Sequence, residues 1–222
     1  METSLHRQLK ELYAGEAAQT EVRLGDYRID AVLDGRLIEI QHASLAAIRD
    51  KLRALLKSHR VLVVKPIVAV KYLVKRGRKN GRVVDRRKSP KRGTRLDVFD
   101  ELVYLTRLFP HPNLTLEMVL VEVEEWRFPG HGRRRRRRDA DFEVEDRKLL
   151  RVQETIRLAT LADLWKLLPA DLPQPFDTEE LAERLDVTRH VAQRIAYCLR
   201  ETGAAKNVGK RGNAILYERR AA

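Results

Sequence analysis

The residues with the clearest chemical potential are Asp30, Glu39 and Gln41, which straddle an Asp34-Gly35 dipeptide. Asp-Gly is a strong two-residue hairpin signal, because both residues tolerate the positive φ that a type I′ turn needs. With that turn closed, Leu33 faces Arg36, Ala31 faces Ile38, Ile29 faces Ile40 and Asp30 faces Glu39. One face of the hairpin then holds Ile29, Ala31, Leu33, Ile38 and Ile40. The other holds Arg28, Asp30, Val32, Leu37, Glu39 and Gln41. Like charges directly opposite on a sheet cost roughly 0.2–1 kcal/mol. A hard divalent cation, Mg²⁺ or Mn²⁺, bound by both carboxylates would offset that cost. Gly25-Asp26 suits a type II′ turn and brings Glu21 opposite Asp30, so three acids lie in a row across three strands.

The elements that position this row follow from hydrophobic spacing. Residues 3–13 form an expected first helix, with Leu5, Leu9, Leu12 and Tyr13 on one face and Thr3 or Ser4 as cap. After the three-strand meander, Ser44 caps a second helix. Leu45, Ile48, Leu52 and Leu55 form its buried stripe, and Arg49, Lys51, Arg53 and Lys57 its wet face. Residues 61–64 return as an all-apolar strand, followed by a second strand over 68–74. A helix through Phe99, Leu102, Val103 and Leu105 stops at Pro110, residues 114–124 form a strand, and 141–157 alternates like a hairpin.

The chain has 222 residues, 43% of them hydrophobic, which is ordinary for a globular protein. A formal net charge of +13 points to a polyanionic partner, most simply DNA, with RNA as the other nucleic acid. The charge is clustered: residues 75–95 hold 11 Lys or Arg and one acid, and residues 133–138 are six consecutive arginines. The first cluster reads as a flexible basic loop or hairpin arm in which Arg78, Lys79, Arg86, Arg87 and Lys88 would track phosphates. Cys198 is the only cysteine, which excludes an intrachain disulfide and a cysteine zinc site and fits a cytoplasmic protein. No run of roughly 18 apolar residues exists, so no membrane partner is expected.

The C-terminal part has a different pattern. A helix over 161–168, a proline-rich break, the helix TEELAERL, a tight turn and a helix from Arg189 to Glu201 precede two short strands around a Gly209-Lys210-Arg211-Gly212 tip. Helix, helix, turn, helix and basic-tipped hairpin is the pattern of a winged helix-turn-helix. Arg189, His190, Gln193 and Arg194 would reach bases or phosphates, and Lys210 and Arg211 would place the wing on the backbone. The expected division is residues 1–125 with a basic insertion at 75–95, a connector over 126–158, and a smaller domain over 159–222.

Asp30, eight intervening residues, Glu39 and Gln41, placed on antiparallel strands between two helices, resembles the PD-(D/E)xK nuclease superfamily in its Gln-bearing variant. The string LIEIQ followed by Ser44 and a basic helix is most similar to CoiA-like members. The resemblance implies a mixed α/β, restriction-endonuclease-like αβββαβ core and Mg²⁺- or Mn²⁺-dependent hydrolysis of DNA. It implies that Asp30, Glu39 and the Ile40 carbonyl hold the metal, with Glu21, or Glu11 or Glu16 near the first helix, as an extra acid. Gln41 departs from the usual lysine, since an amide brings neither a base nor a positive charge; Arg28 is the expected substitute. The alternative is a nucleic-acid-binding regulatory or structural protein, possible as a homodimer, that retains the fold without turnover.

Overall fold

A computed structural model describes residues 3–15, 18–130 and 141–220. The architecture is mixed α/β around one mixed seven-stranded sheet. Helix α1 (Ser4–Ala14) precedes the meander β1 (Gln19–Leu24), β2 (Tyr27–Leu33) and β3 (Arg36–Ile40), and a single 3-10 turn leads into α2 (Arg49–Leu55). Then come β4 (Arg60–Arg76), β5 (Val83–Lys88), α3 (Val98–Leu102), β6 (Leu114–Pro129) and β7 (Phe142–Leu158). The sheet order is β1-β2-β3-β4-β6-β7, with β5 also on β4. The pairs β3–β4 and β4–β6 are parallel and the others antiparallel.

Helix α1 covers one face of this sheet. Thr3 caps it by accepting the His6 N–H, and Ser4 Oγ donates to Asp146 on β7 at 2.6 Å. Leu5 and Leu9 pack on Ala31, Ile38, Ile40, Leu62 and Val64, each leucine contributing roughly 1.5–3 kcal/mol by leaving water. Leu12 departs from the expected stripe and is exposed. The opposite face packs Leu37, Val61, Val63, Leu116 and Met118 on α2 and α3.

Two expected breaks are continuous strands. Residues 61–64 and 68–74 belong to one strand, β4, because Pro66 falls where its missing N–H costs nothing. Pairing with β3 ends at Val64 and pairing with β5 begins at Tyr72, so that edge of β4 is open at residue 66. Residues 141–157 form no hairpin of their own; they are β7, paired with β6 along its length. The basic segment 75–95 is a hairpin arm whose strand β5 is exposed throughout. The six arginines lie outside the described residues, as does Glu16.

Helices α4 (Leu161–Trp165), α5 (Thr178–Leu185) and α6 (Arg189–Glu201) and the hairpin β8 (Ala205–Arg211)–β9 (Ala214–Arg219) complete the chain. Asp177 caps α5 with a reciprocal Glu180 contact. This unit shares its core with the sheet's α2 face: Leu164, Ile195, Cys198 and Leu199 belong to the same buried cluster as Leu52, Phe99 and Leu102. Burial in that cluster pushes the Cys198 thiol up to about 12.

Candidate functional site

The Asp34-Gly35 turn closes in the expected register, with Leu33↔Arg36, Val32↔Leu37 and Ala31↔Ile38 paired. Beyond Ala31 the Asp30 side chain takes up a ladder donor itself, its Oδ2 accepting the Ile40 N–H at 2.8 Å. The expectation that Asp30 and Glu39 project from one face is not met. Tyr27 and Ile29 pack into the α2-side core whereas Ala31 and Leu33 pack into the α1-side core, so the alternation of β2 breaks at Asp30. The cause is visible on β1. Glu21 has φ of 56°, in the left-handed region, and sits between the pairs Thr20↔Ala31 and Val22↔Ile29. The row Glu21, Asp30, Glu39 is therefore preserved along the strands but twisted across the sheet.

Each acid of the row has its own basic partner. Glu21 pairs with Lys10 of α1 and with Arg28. Asp30 Oδ1 lies 3.2 Å from His6 Nε2, also on α1. Glu39, 6% exposed, receives the Lys51 ammonium of α2 on both oxygens, at 2.6 Å for Oε2, and Lys51 also donates to the Arg28 carbonyl.

These partners set the protonation behaviour. Lys10, then Arg28, holds the Glu21 carboxyl below its ordinary value, against some burial. Burial opposes ionisation of Asp30, but the bonds from His6 and Ile40 outweigh it and hold the carboxyl low. At Glu39 burial wins over Lys51, the nearby Asp30 charge adds to it, and the carboxyl is raised.

Lys51 was not legible as a site residue, since its charge places it with Arg49 and Arg53 on the wet face. Yet it lies three residues after Ile48 and four before Leu55, on the shoulder of the buried stripe, and that spacing was the available signal. Gln41 Nε2 donates to the Ser44 carbonyl at 3.1 Å. Arg28 is bound to Glu21, so the positive charge beside Glu39 comes from Lys51. Glu11 is exposed on α1. His42 leans to the α1 side, its ring 5.5 Å from His6, with Nε2 buried and unpartnered. Burial, then His6 and Lys65, depresses its pKa to about 4.

Both carboxylates of the hairpin are engaged within the fold, Asp30 by His6 and the Ile40 N–H and Glu39 by Lys51. Asp30 and Glu39 are near enough at the end of the β2–β3 ladder for the charge of Asp30 to help raise the Glu39 carboxyl. Among the described residues no group of three or more His, Cys, Asp or Glu side chains is arranged to hold a metal.

The basic residues divide into exposed and engaged. Arg78, Lys79, Arg87, Lys88, Arg189, Gln193 and Lys210 are exposed. Arg86 stacks 4.2 Å over Tyr72 and bonds Glu124, and Arg211 bonds Glu180. Arg194 pairs with Asp100 of α3 and donates to His190 at 2.8 Å, so Arg194 is engaged while His190 stays exposed.

With this geometry in place, comparison with known proteins gives one decisive match: the family described as "Domain of unknown function (DUF8091)" matches residues 3–159. The chain belongs to this family. The match starts at the α1 cap and ends one residue past β7, so the DUF8091 unit comprises the sheet, α1, α2 and α3. A protein of Treponema pallidum (strain Nichols), described as uncharacterized, is 32% identical over 219 residues, 98% of this chain and 85% of that protein. That alignment runs past the DUF8091 match, so the similarity includes α4–α6 and the terminal hairpin. No solved structure matches. No helix among the described residues is long and apolar enough to cross a membrane.

Proposed function

We propose that this chain is a metal-dependent nuclease acting on DNA, with Asp30, Glu39, Gln41 and Lys51 at its centre. The observation that carries the proposal is the ammonium of Lys51 on Glu39, two residues from an amide where a PD-(D/E)xK site would have lysine. In this reading Asp30 and Glu39 would turn from His6 and Lys51 toward each other to hold a cation with the Ile40 carbonyl, and that cation would polarise the scissile phosphate and lower the pKa of a water. Lys51 then brings the positive charge that stabilises the developing phosphorane, a role open to it because α2 holds it there already. His6 holds Asp30 in place. Gln41, tied through its nitrogen to Ser44, offers its amide oxygen to orient a water. The exposed β5 arm and the α5-turn-α6 unit with its hairpin would hold the duplex, in the manner of a winged helix.

One observation favours a second reading, a nucleic-acid-binding protein without turnover: every acid of the row already has a side-chain partner, Lys10 and Arg28 on Glu21, Lys51 on Glu39 and the His6 ring on Asp30. Purified protein incubated with linear, supercoiled and branched DNA in Mg²⁺ or Mn²⁺ separates the two. Cleavage that disappears in Asp30→Ala and Glu39→Ala is the expected result. Tight binding with no cleavage of any substrate would sink the enzyme, and cleavage that survives both substitutions would sink this site.

A further inference from the structure

A cleft of about 400 Å³ opens between α2, the turn that follows α3, and α6, on the surface away from Lys51. Arg49 and Arg53 of α2 line it, with Tyr104, Arg107 and Leu108 from the turn and Tyr197 from α6. Two features of this lining are unusual together. Tyr104 and Tyr197 are 44% and 40% exposed, and the Arg200 guanidinium lies 5.6 Å over the Tyr197 ring. The charge around them is positive: Asp50 partners both Arg49 and Arg53, and Arg107 has no acidic partner among the described residues. Guanidinium groups beside half-exposed tyrosine rings, the Tyr104 ring and the face of Tyr197 away from Arg200, match a ligand that has phosphates and flat, unstacked rings. A duplex hides its base faces, so it cannot use the tyrosines.

We infer that this cleft binds unpaired nucleotides of a nucleic acid strand, the tyrosines stacking bases and the arginines holding phosphates. The exposed face of α6 supports this placement, because Arg189, Gln193 and Tyr197 recur every four residues and lead into the cleft. The inference rests on the nucleic-acid reading of the chain but not on cleavage, so binding is measured in EDTA, where no metal-dependent turnover occurs.

The test uses fluorescence anisotropy on the full chain, with oligo-dT and oligo-U of roughly 15 nucleotides and a hairpin duplex of matched length. For Tyr104→Ala/Tyr197→Ala the expected result is a loss of single-strand affinity of about tenfold or more, with the duplex unchanged and binding kept in Tyr104→Phe/Tyr197→Phe. Arg53→Gln/Arg107→Gln should flatten the single-strand salt dependence by about 1.4 in log–log slope. The tighter of oligo-dT and oligo-U identifies the strand. Unchanged single-strand affinity in a double-alanine variant of wild-type melting temperature overturns the inference. So does an equal loss on the duplex, or no binding of either strand by the wild type. Because all readings are taken without metal, a wild type that binds but never cleaves leaves this inference standing while the nuclease reading fails.

Discussion

Lys51 donates to both carboxylate oxygens of Glu39 and to the carbonyl of Arg28, so one side chain of α2 ties the helix to both strands of the acidic hairpin. It is a nearly buried pair, Glu39 at 8% and Lys51 at 18% side-chain exposure. Breaking such a pair leaves a charge in low dielectric, which costs more than the intact pair contributes. Lys51→Met is therefore expected to destabilise by about 3 kcal/mol, read from urea unfolding. Lys51→Met/Glu39→Gln should recover most of the loss, since the stranded charge is gone. A single variant as stable as wild type would mean that the pair is not formed in solution.

His42 sets a pH dependence on the acid side of neutrality. Its pKa is depressed from 6.5 to about 4, so between those values the unfolded chain binds a proton that the folded chain refuses. More protons on the unfolded state means that stability rises with pH and falls on acidification. After discounting for partial exposure, about 2 kcal/mol should be lost between pH 7 and 4. His42→Gln, which keeps a polar group but cannot titrate there, should remove that slope. Equal slopes in the two proteins would place the ring in water.

Asp30 and Glu39 should oppose each other at lower pH. Asp30 is depressed in the fold, so the stability it contributes is present above its ordinary value and is lost as pH falls through the folded one. Glu39 is raised, so its ionisation costs stability, and that cost is relieved as pH falls through its folded value. Asp30→Asn should flatten the acid limb of stability against pH, and Glu39→Gln should steepen it by removing the relief. ¹³C-detected titration of the two carboxyls reads the same order directly: Glu39 protonates first, Asp30 after it.

Much of this arrangement was legible because local rules agree with one another. The Asp34-Gly35 turn fixed three cross-strand pairs, and the apolar run after α2 gave the first half of β4. The face of Asp30 was not legible, since it depends on one residue, Glu21, adopting a backbone conformation that no side-chain pattern announces. The continuity of β4 through Pro66 was not legible either, because the cost of a proline in a strand depends on which neighbour pairs at that position, which is a fact of topology. The length of β7 was hidden for a related reason: a long two-stranded ribbon and a separate hairpin alternate alike. Tyr104 and Tyr197 lie far apart in sequence and meet only across the packing of α6 on α3.

The same logic of non-local pairing gives a last expectation, at Lys65. This lysine, 6% exposed, lies within β4 between the two strands expected over 61–64 and 68–74. Its ammonium donates to the carbonyls of His42 and Ala43 at 2.8 Å each and lies 3.0 Å from Glu101, whose other oxygen accepts the Leu45 N–H at 2.8 Å. Lys65 thus fixes the backbone that follows Gln41 and anchors it to α3. Lys65→Met leaves two carbonyls and a carboxylate without their donor, which should cost about 3 kcal/mol. Lys65→Met/Glu101→Gln should regain part of that, because glutamine still accepts from Leu45 without a stranded charge. Hydrogen exchange should localise the damage: the Leu45 and Ala46 amides should open well below the global unfolding free energy in Lys65→Met, while core amides of β6 follow the global value. Uniform loss across both segments would show that Lys65 acts only through overall stability and does not position the site.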